Sequence, residues 1–79
     1  MKKRPVTIYR QEYIALVDKL IRVRLEAGLK QSEVAEKMGW HQVDVSKVET
    51  RVRRLDIMDL ADMAKIYDKP LDFFIKHIK

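Results

Sequence analysis

Apolar residues recur along this chain at helical spacing, and no stretch shows the strict alternation of a strand. From about Tyr9 to Ala27 the repeat is Tyr13, Leu16, Val17, Leu20 and Val23, one stripe of an amphipathic helix. Gly28 follows, the residue type best able to take the left-handed conformation that ends a helix, and Leu29 can pack back on that end. A short second helix over 31–38 puts Val34, Ala35 and Met38 on one face and stops at Gly39. A third, from about Gln42 to Thr50, sets Val45 and Val48 three residues apart. Asp56, with Asp59 three residues on, has the form of an N-cap followed by an acid that favours the helix dipole. The fourth helix then spans about Ile57 to Tyr67, with Ile57, Leu60, Ala61, Ala64 and Tyr67 inward. Asp68 stands where a left-handed residue is wanted, which Asp tolerates better than most. Pro70 suits the start of a fifth helix, whose stripe is Leu71, Phe74, Ile75 and Ile78. The pattern predicts an all-α domain of five helices over 9–79, preceded by a non-periodic basic arm over 1–8.

Composition narrows what such a domain can do. At 79 residues there is room for one core, stabilised alone or by dimerisation. The absence of cysteine excludes a disulfide framework, thiolate metal ligation and a cysteine nucleophile. His41 and His77 fall on separate elements and make a poor metal site, and no glycine-rich phosphate loop exists. The expectation is therefore no enzyme, no metal and no cofactor. No apolar run approaches a membrane span and no signal-like apolar segment follows Met1, so a cytoplasmic protein without a membrane partner is expected.

Charge adds a direction. Seventeen Lys and Arg against twelve Asp and Glu leave a net charge of +5, which suits a polyanion. The bases gather in the arm (Lys2, Lys3, Arg4, Arg10) and around one connection (Lys47, Arg51, Arg53, Arg54). The acids Asp56, Asp59, Asp62, Asp68 and Asp72 lie in the last third. That polarity suggests a DNA face and an opposite face.

Residues 31–50 carry the functional pattern. Ala35 comes four residues after Gln31, Gly39 four after that, Val45 six later and Val48 three later. Ala35 must be small where another helix crosses close to its Cα. Gly39 must take a positive φ to turn the chain sharply. Val45 and Val48 lock the second helix of the pair onto the first, and Val34, Met38 and Trp40 fill the wedge between them. This is the helix-turn-helix pattern, in which the second helix lies in the DNA major groove.

At this point the chain resembles the Xre/lambda-repressor-like (Cro-type) family of DNA-binding domains, from about Leu20 to Phe74. The segments that carry the likeness are RLEAGLKQSEVAEKMGW, VSKVE, RRLD and KPLDFF. The resemblance implies a compact five-helix fold with the helix-turn-helix at helices 2 and 3. It implies that Gln31 grips a phosphate at a helix N-terminus. Gln42, Val43 and Lys47 fall where family members contact bases, with Ser46 at the edge of that face. Gln pairs with adenine, Lys with guanine, and Val touches a thymine methyl. Arg24 and Glu49 match an ion pair between helix 1 and the recognition helix. Arg51, Arg53 and Arg54 lie where the family backbone runs beside the sugar-phosphate chain, and phosphate contacts are expected of them.

Three positions depart from the family pattern. Lys30 and His41 stand where Ser or Thr usually caps helices 2 and 3; His41 could cap through a ring nitrogen, and Lys30 offers only phosphate attraction. Arg51 replaces the glycine usual after the recognition helix, and since a non-glycine residue at positive φ is uncommon, a turn of different course is expected there. Asp44 projects from the first turn of the recognition helix, where a carboxylate is repelled by phosphates and could accept from cytosine N4, but favours the helix N-terminus; a structural role is expected of it.

The function expected is a sequence-specific regulator, a repressor acting as a homodimer on a palindromic duplex operator, with a toxin or antirepressor as a possible partner protein. Tyr67, Phe73, Phe74, Ile75 and Ile78 either supply the dimer seam or close the monomer core. The alternative is a protein-interaction module that keeps the fold without specific DNA binding.

Overall fold

The computed structural model describes residues 10–78, so the arm residues Lys2, Lys3 and Arg4 lie outside the described residues. Five helices follow in order: α1 (Gln11–Glu26), α2 (Gln31–Met38), α3 (Gln42–Glu49), α4 (Ile57–Ile66) and α5 (Leu71–Ile75). No strand occurs among the described residues. Helix α1 packs on α3 and α5, α2 on α3 and α4, and α4 on α5.

One core joins all five. Val17 and Leu20 of α1, Val34 of α2, Val45 and Val48 of α3, Met63 of α4 and Phe74 of α5 are its most enclosed side chains. Complete burial of side chains this size stabilises by about 1.5–3 kcal/mol each, so the helices hold together mainly through this shared apolar centre.

Four helices end in the same way, and only two of the four endings use glycine. Gly28 and Gly39 both have φ of 71°. At the first, Leu29 N–H donates to Arg24 O and Gly28 N–H to Leu25 O; at the second, Trp40 N–H donates to Ala35 O and Gly39 N–H to Glu36 O. Crossed bonds of this kind satisfy the last free carbonyls and demand a left-handed residue. Arg51 (φ 62°) and Asp68 (φ 54°) repeat the arrangement. Val52 N–H reaches Lys47 O after α3, and Lys69 N–H reaches Ala64 O after α4. The glycine-to-arginine change at position 51 thus leaves the turn in its left-handed form, at a backbone cost of roughly 1–2 kcal/mol.

The helix starts show a matching substitution. Asp56 accepts the Asp59 N–H at 2.9 Å, as its sequence position implies. Neither Lys30 nor His41 caps through its side chain. The acid three residues on turns back instead: Glu33 Oε1 accepts the Lys30 N–H at 2.9 Å and Asp44 Oδ2 accepts the His41 N–H at 3.0 Å. These are half capping boxes, keeping the acid's contribution without the Ser or Thr.

Two sequence expectations change. Ile57 does not face the core but is 57% exposed, because the buried stripe of α4 begins a turn later and runs through Leu60, Met63, Ala64 and Tyr67. Helix α5 stops at Ile75, so Ile78 lies past its end and is exposed. The fifth helix closes the core of the single chain: Phe74 is fully enclosed, and Phe73 meets it edge-on with ring centroids 5.1 Å apart. Lys19 Nζ donates to Phe73 O at 3.2 Å, and the His77 ring bridges Lys19 and Glu12 O, tying the C-terminal turn to α1.

Candidate nucleic-acid interface

Helix α3 divides into an inner and an outer side because Val45 and Val48, both enclosed, recur on one stripe. Gln42, Val43 and Lys47 fall on the exposed side, and Ser46 sits half-buried at its edge. Val43 is an apolar residue left 51% exposed on a helix that buries its other valines. The tight turn at Gly39 lets α2 and α3 pack together, and Ala35 of α2 is buried with only 2% of its surface accessible. Trp40 is half-buried over this turn and packs on the core.

A chain of hydrogen bonds runs from the interior to the outer side of α3. Arg24 Nη1 donates to Leu29 O at 2.9 Å, anchoring the guanidinium. Its Nε and Nη2 donate to Glu49 Oε2 at 2.6 Å and Oε1 at 2.9 Å. Gln31 Nε2 donates to the same Oε1 at 2.9 Å, and Gln42 Nε2 donates to Gln31 Oε1 at 2.6 Å. Helix α1, the start of α2 and both ends of α3 are thereby joined. Planar guanidinium and carboxylate match in a fork, which fixes rotation as well as distance.

The pair is shielded, with 11% of the Arg24 side chain and 8% of the Glu49 side chain accessible. The hydrogen bonds to Glu49 raise the Arg24 pKa against the desolvation that would lower it. Tyr67 lies close enough to feel both charges. Burial first, and then the Glu49 carboxylate, push its phenol up to about 12. Sequence periodicity marked Tyr67 only as an inward residue; nothing in the pattern signals that it faces an ion pair.

The basic connection after α3 is fixed by its backbone. Lys47 O accepts from both Val52 N–H (2.9 Å) and Arg53 N–H (3.0 Å). Thr50 Oγ donates to Ser46 O at 2.9 Å, an additional closure of the helix end that the sequence reading did not single out. Leu55 N–H donates to the Tyr13 hydroxyl at 3.0 Å, pinning the connection to α1. Arg51 is half-buried and Arg54 exposed. Arg53 lies over the Trp40 ring, 4.2 Å from its centroid, with Asp44 at 3.6 Å and Asp59 at 3.9 Å. Asp44 therefore joins the N-terminal turn of α3 through its cap and a cation.

Among the described residues no group of three or more His, Asp or Glu is arranged to hold a metal ion. Among the described residues no helix is long and apolar enough to cross a membrane.

Comparison with known proteins agrees with this geometry. A family model described as helix-turn-helix matches residues 20–74. Among solved structures, an XRE-family like protein from Pseudomonas syringae pv. tomato str. DC3000 superposes with a TM-score of 0.81 at 34% identity, over 90% of this chain and 87% of that one. No curated protein matches the chain. The matched residues are those that build the α2–α3 pair and the elements bracing it, and the chain belongs to the Xre/lambda-repressor-like helix-turn-helix family of DNA-binding proteins.

Proposed function

We propose that this chain recognises a specific duplex DNA sequence through α3 and represses transcription by occupying a palindromic operator as a homodimer. The observation that carries the reading is the two-sidedness of α3: Val45 and Val48 are enclosed, while Gln42, Val43 and Lys47 face solvent. An α-helix is 10–12 Å across with its side chains, and the major groove is about 12 Å wide. Gln42 presents an amide able to pair with adenine N6 and N7 while its second Nε2 hydrogen stays on Gln31. Lys47 offers donors to guanine O6 and N7, Val43 a surface for a thymine methyl, and Ser46 a hydroxyl at the edge. Gln31, Arg51 and Arg54 flank this face as phosphate contacts.

One short reading helix makes few base contacts, so two copies on half-sites one helical turn apart are required for tight specific binding. Because α5 is spent on the core of the single chain, we place the seam at the connection after α3. Val52 in that connection and Ile57 and Met58 at the start of α4 are large apolar residues left exposed, close in sequence to Arg51, Arg53 and Arg54. A seam at that end brings two copies of α3 side by side on one face of DNA.

Selection of bound sites from random duplexes tests the whole reading. An inverted repeat is expected, with Gln42→Ala and Lys47→Ala each relaxing preference at one base per half-site by about 1–3 kcal/mol. Absence of any enriched sequence removes the proposal; an enriched site without dyad symmetry removes the dimer.

A further inference from the structure

We propose that Arg53 is a positioning residue, a clasp that fixes the N-terminus of the reading helix and neutralises the acid there, rather than a phosphate ligand. The inference rests on the DNA-reading role of α3 for its functional consequence, but the clasp itself exists in the free protein.

Three elements meet at this guanidinium. Its Cζ lies over the Trp40 ring, in the turn between α2 and α3, 4.2 Å from the ring centroid. Nη1 faces Asp44 Oδ1 at 3.6 Å, in the first turn of α3. Nη2 faces Asp59 Oδ2 at 3.9 Å, in the first turn of α4. The Arg53 backbone is itself held by Lys47 O at 3.0 Å, so the side chain starts from a fixed point. Stacking on indole and a fork toward two carboxylates are both properties of guanidinium that an ammonium does not share.

This arrangement accounts for the awkward acid on the reading helix. Asp44 Oδ2 is occupied by the His41 N–H, and Oδ1 faces a cation. A carboxylate standing bare where phosphates approach would repel them. Capped on one oxygen and neutralised on the other, it organises the helix N-terminus without opposing DNA. The same placement keeps Arg53 turned toward the protein's own acids.

The experiment pairs a DNA-free readout with a DNA readout. Trp40 is the sole tryptophan, so its fluorescence reports on the clasp directly. In the free protein, Arg53→Ala and Arg53→Lys are each expected to raise acrylamide quenching of Trp40 and alter its emission, with helical circular dichroism retained. Affinity for the selected duplex is then measured across salt concentrations. The clasp predicts roughly tenfold weaker binding for both variants, with the salt slope unchanged. A phosphate ligand predicts a slope smaller by about one for Arg53→Ala and near-complete rescue by Arg53→Lys. That second outcome overturns the proposal, as does Trp40 quenching identical in all three proteins. Failure of every form to bind any duplex defeats the DNA-reading role instead, and the fluorescence result still decides whether the clasp exists.

Discussion

Arg24 and Glu49, 25 residues apart in sequence, meet in a two-bond fork between α1 and α3, and the same carboxylate carries Gln31 and through it Gln42. An ion pair at this depth is weak evidence of stability in itself, because desolvating both charges offsets much of their attraction. Its value lies in direction: the fork permits one orientation of α3 relative to α1, and that orientation extends to the amide proposed to read a base.

The first prediction separates these contributions. Glu49→Ala leaves the Arg24 guanidinium buried without its partner and should destabilise the domain by roughly 3–5 kcal/mol. The double replacement Arg24→Met with Glu49→Leu should recover most of that loss, read from urea midpoints, while discrimination between operator and random duplex stays poor. Full recovery of discrimination along with stability would show that the pair orients nothing.

Tyr67 gives a prediction in pH. Its phenol titrates near 10 in the unfolded chain and is pushed up to about 12 in the folded one, so the folded state holds the proton more tightly. The associated stability is fully present below pH 10 and is lost as pH rises from about 10 to 12, amounting to roughly 2–3 kcal/mol over that window. Urea midpoints for the parent and Tyr67→Phe should therefore diverge across this window, the parent falling further. Parallel curves would mean that the phenol is not desolvated as the structure places it.

Arg51 should show opposite effects on stability and on binding. A left-handed residue with a Cβ is strained, and Arg51→Gly relieves about 1–2 kcal/mol while adding back up to about 1 kcal/mol of unfolded-chain entropy. A small rise in thermal stability is expected together with weaker DNA binding and a salt slope reduced by about one. A stabilised variant with unchanged slope would remove Arg51 from the phosphate contacts.

Much of the fold was legible because helix formation here follows local pattern. The stripe Tyr13–Val23, the stops at Gly28 and Gly39 and the Asp56 cap each depend on residues within a turn or two of one another. Asp68 was read as left-handed on the same local grounds. Ile57 was misplaced because periodicity gives the phase of a stripe and not the point at which a neighbouring helix begins to cover it. Met63 is the complementary case: it lies beside the stripe that periodicity predicts and is enclosed by the tertiary packing.

The candidate site divides along the same line. Its recognition-helix face, the Ala35 and Gly39 contacts and the positions of Arg24 and Glu49 follow from spacing and from a family resemblance carried by short segments. The amino-acid order alone set which residues could reach solvent on α3, because two buried valines three apart leave only one side free. Packing decided what those groups do once there. It directed Arg53 onto Trp40 and two acids, bound Asp44 into a cap, set Tyr67 against an ion pair and committed Phe74 to the core of a single chain. Apart from the Asp44 cap, these contacts join residues on different elements, and a periodic pattern contains no information about which of them share a neighbour. The physical reason is that hydrophobic periodicity fixes orientation about each helix axis, whereas charge pairing depends on distances between axes.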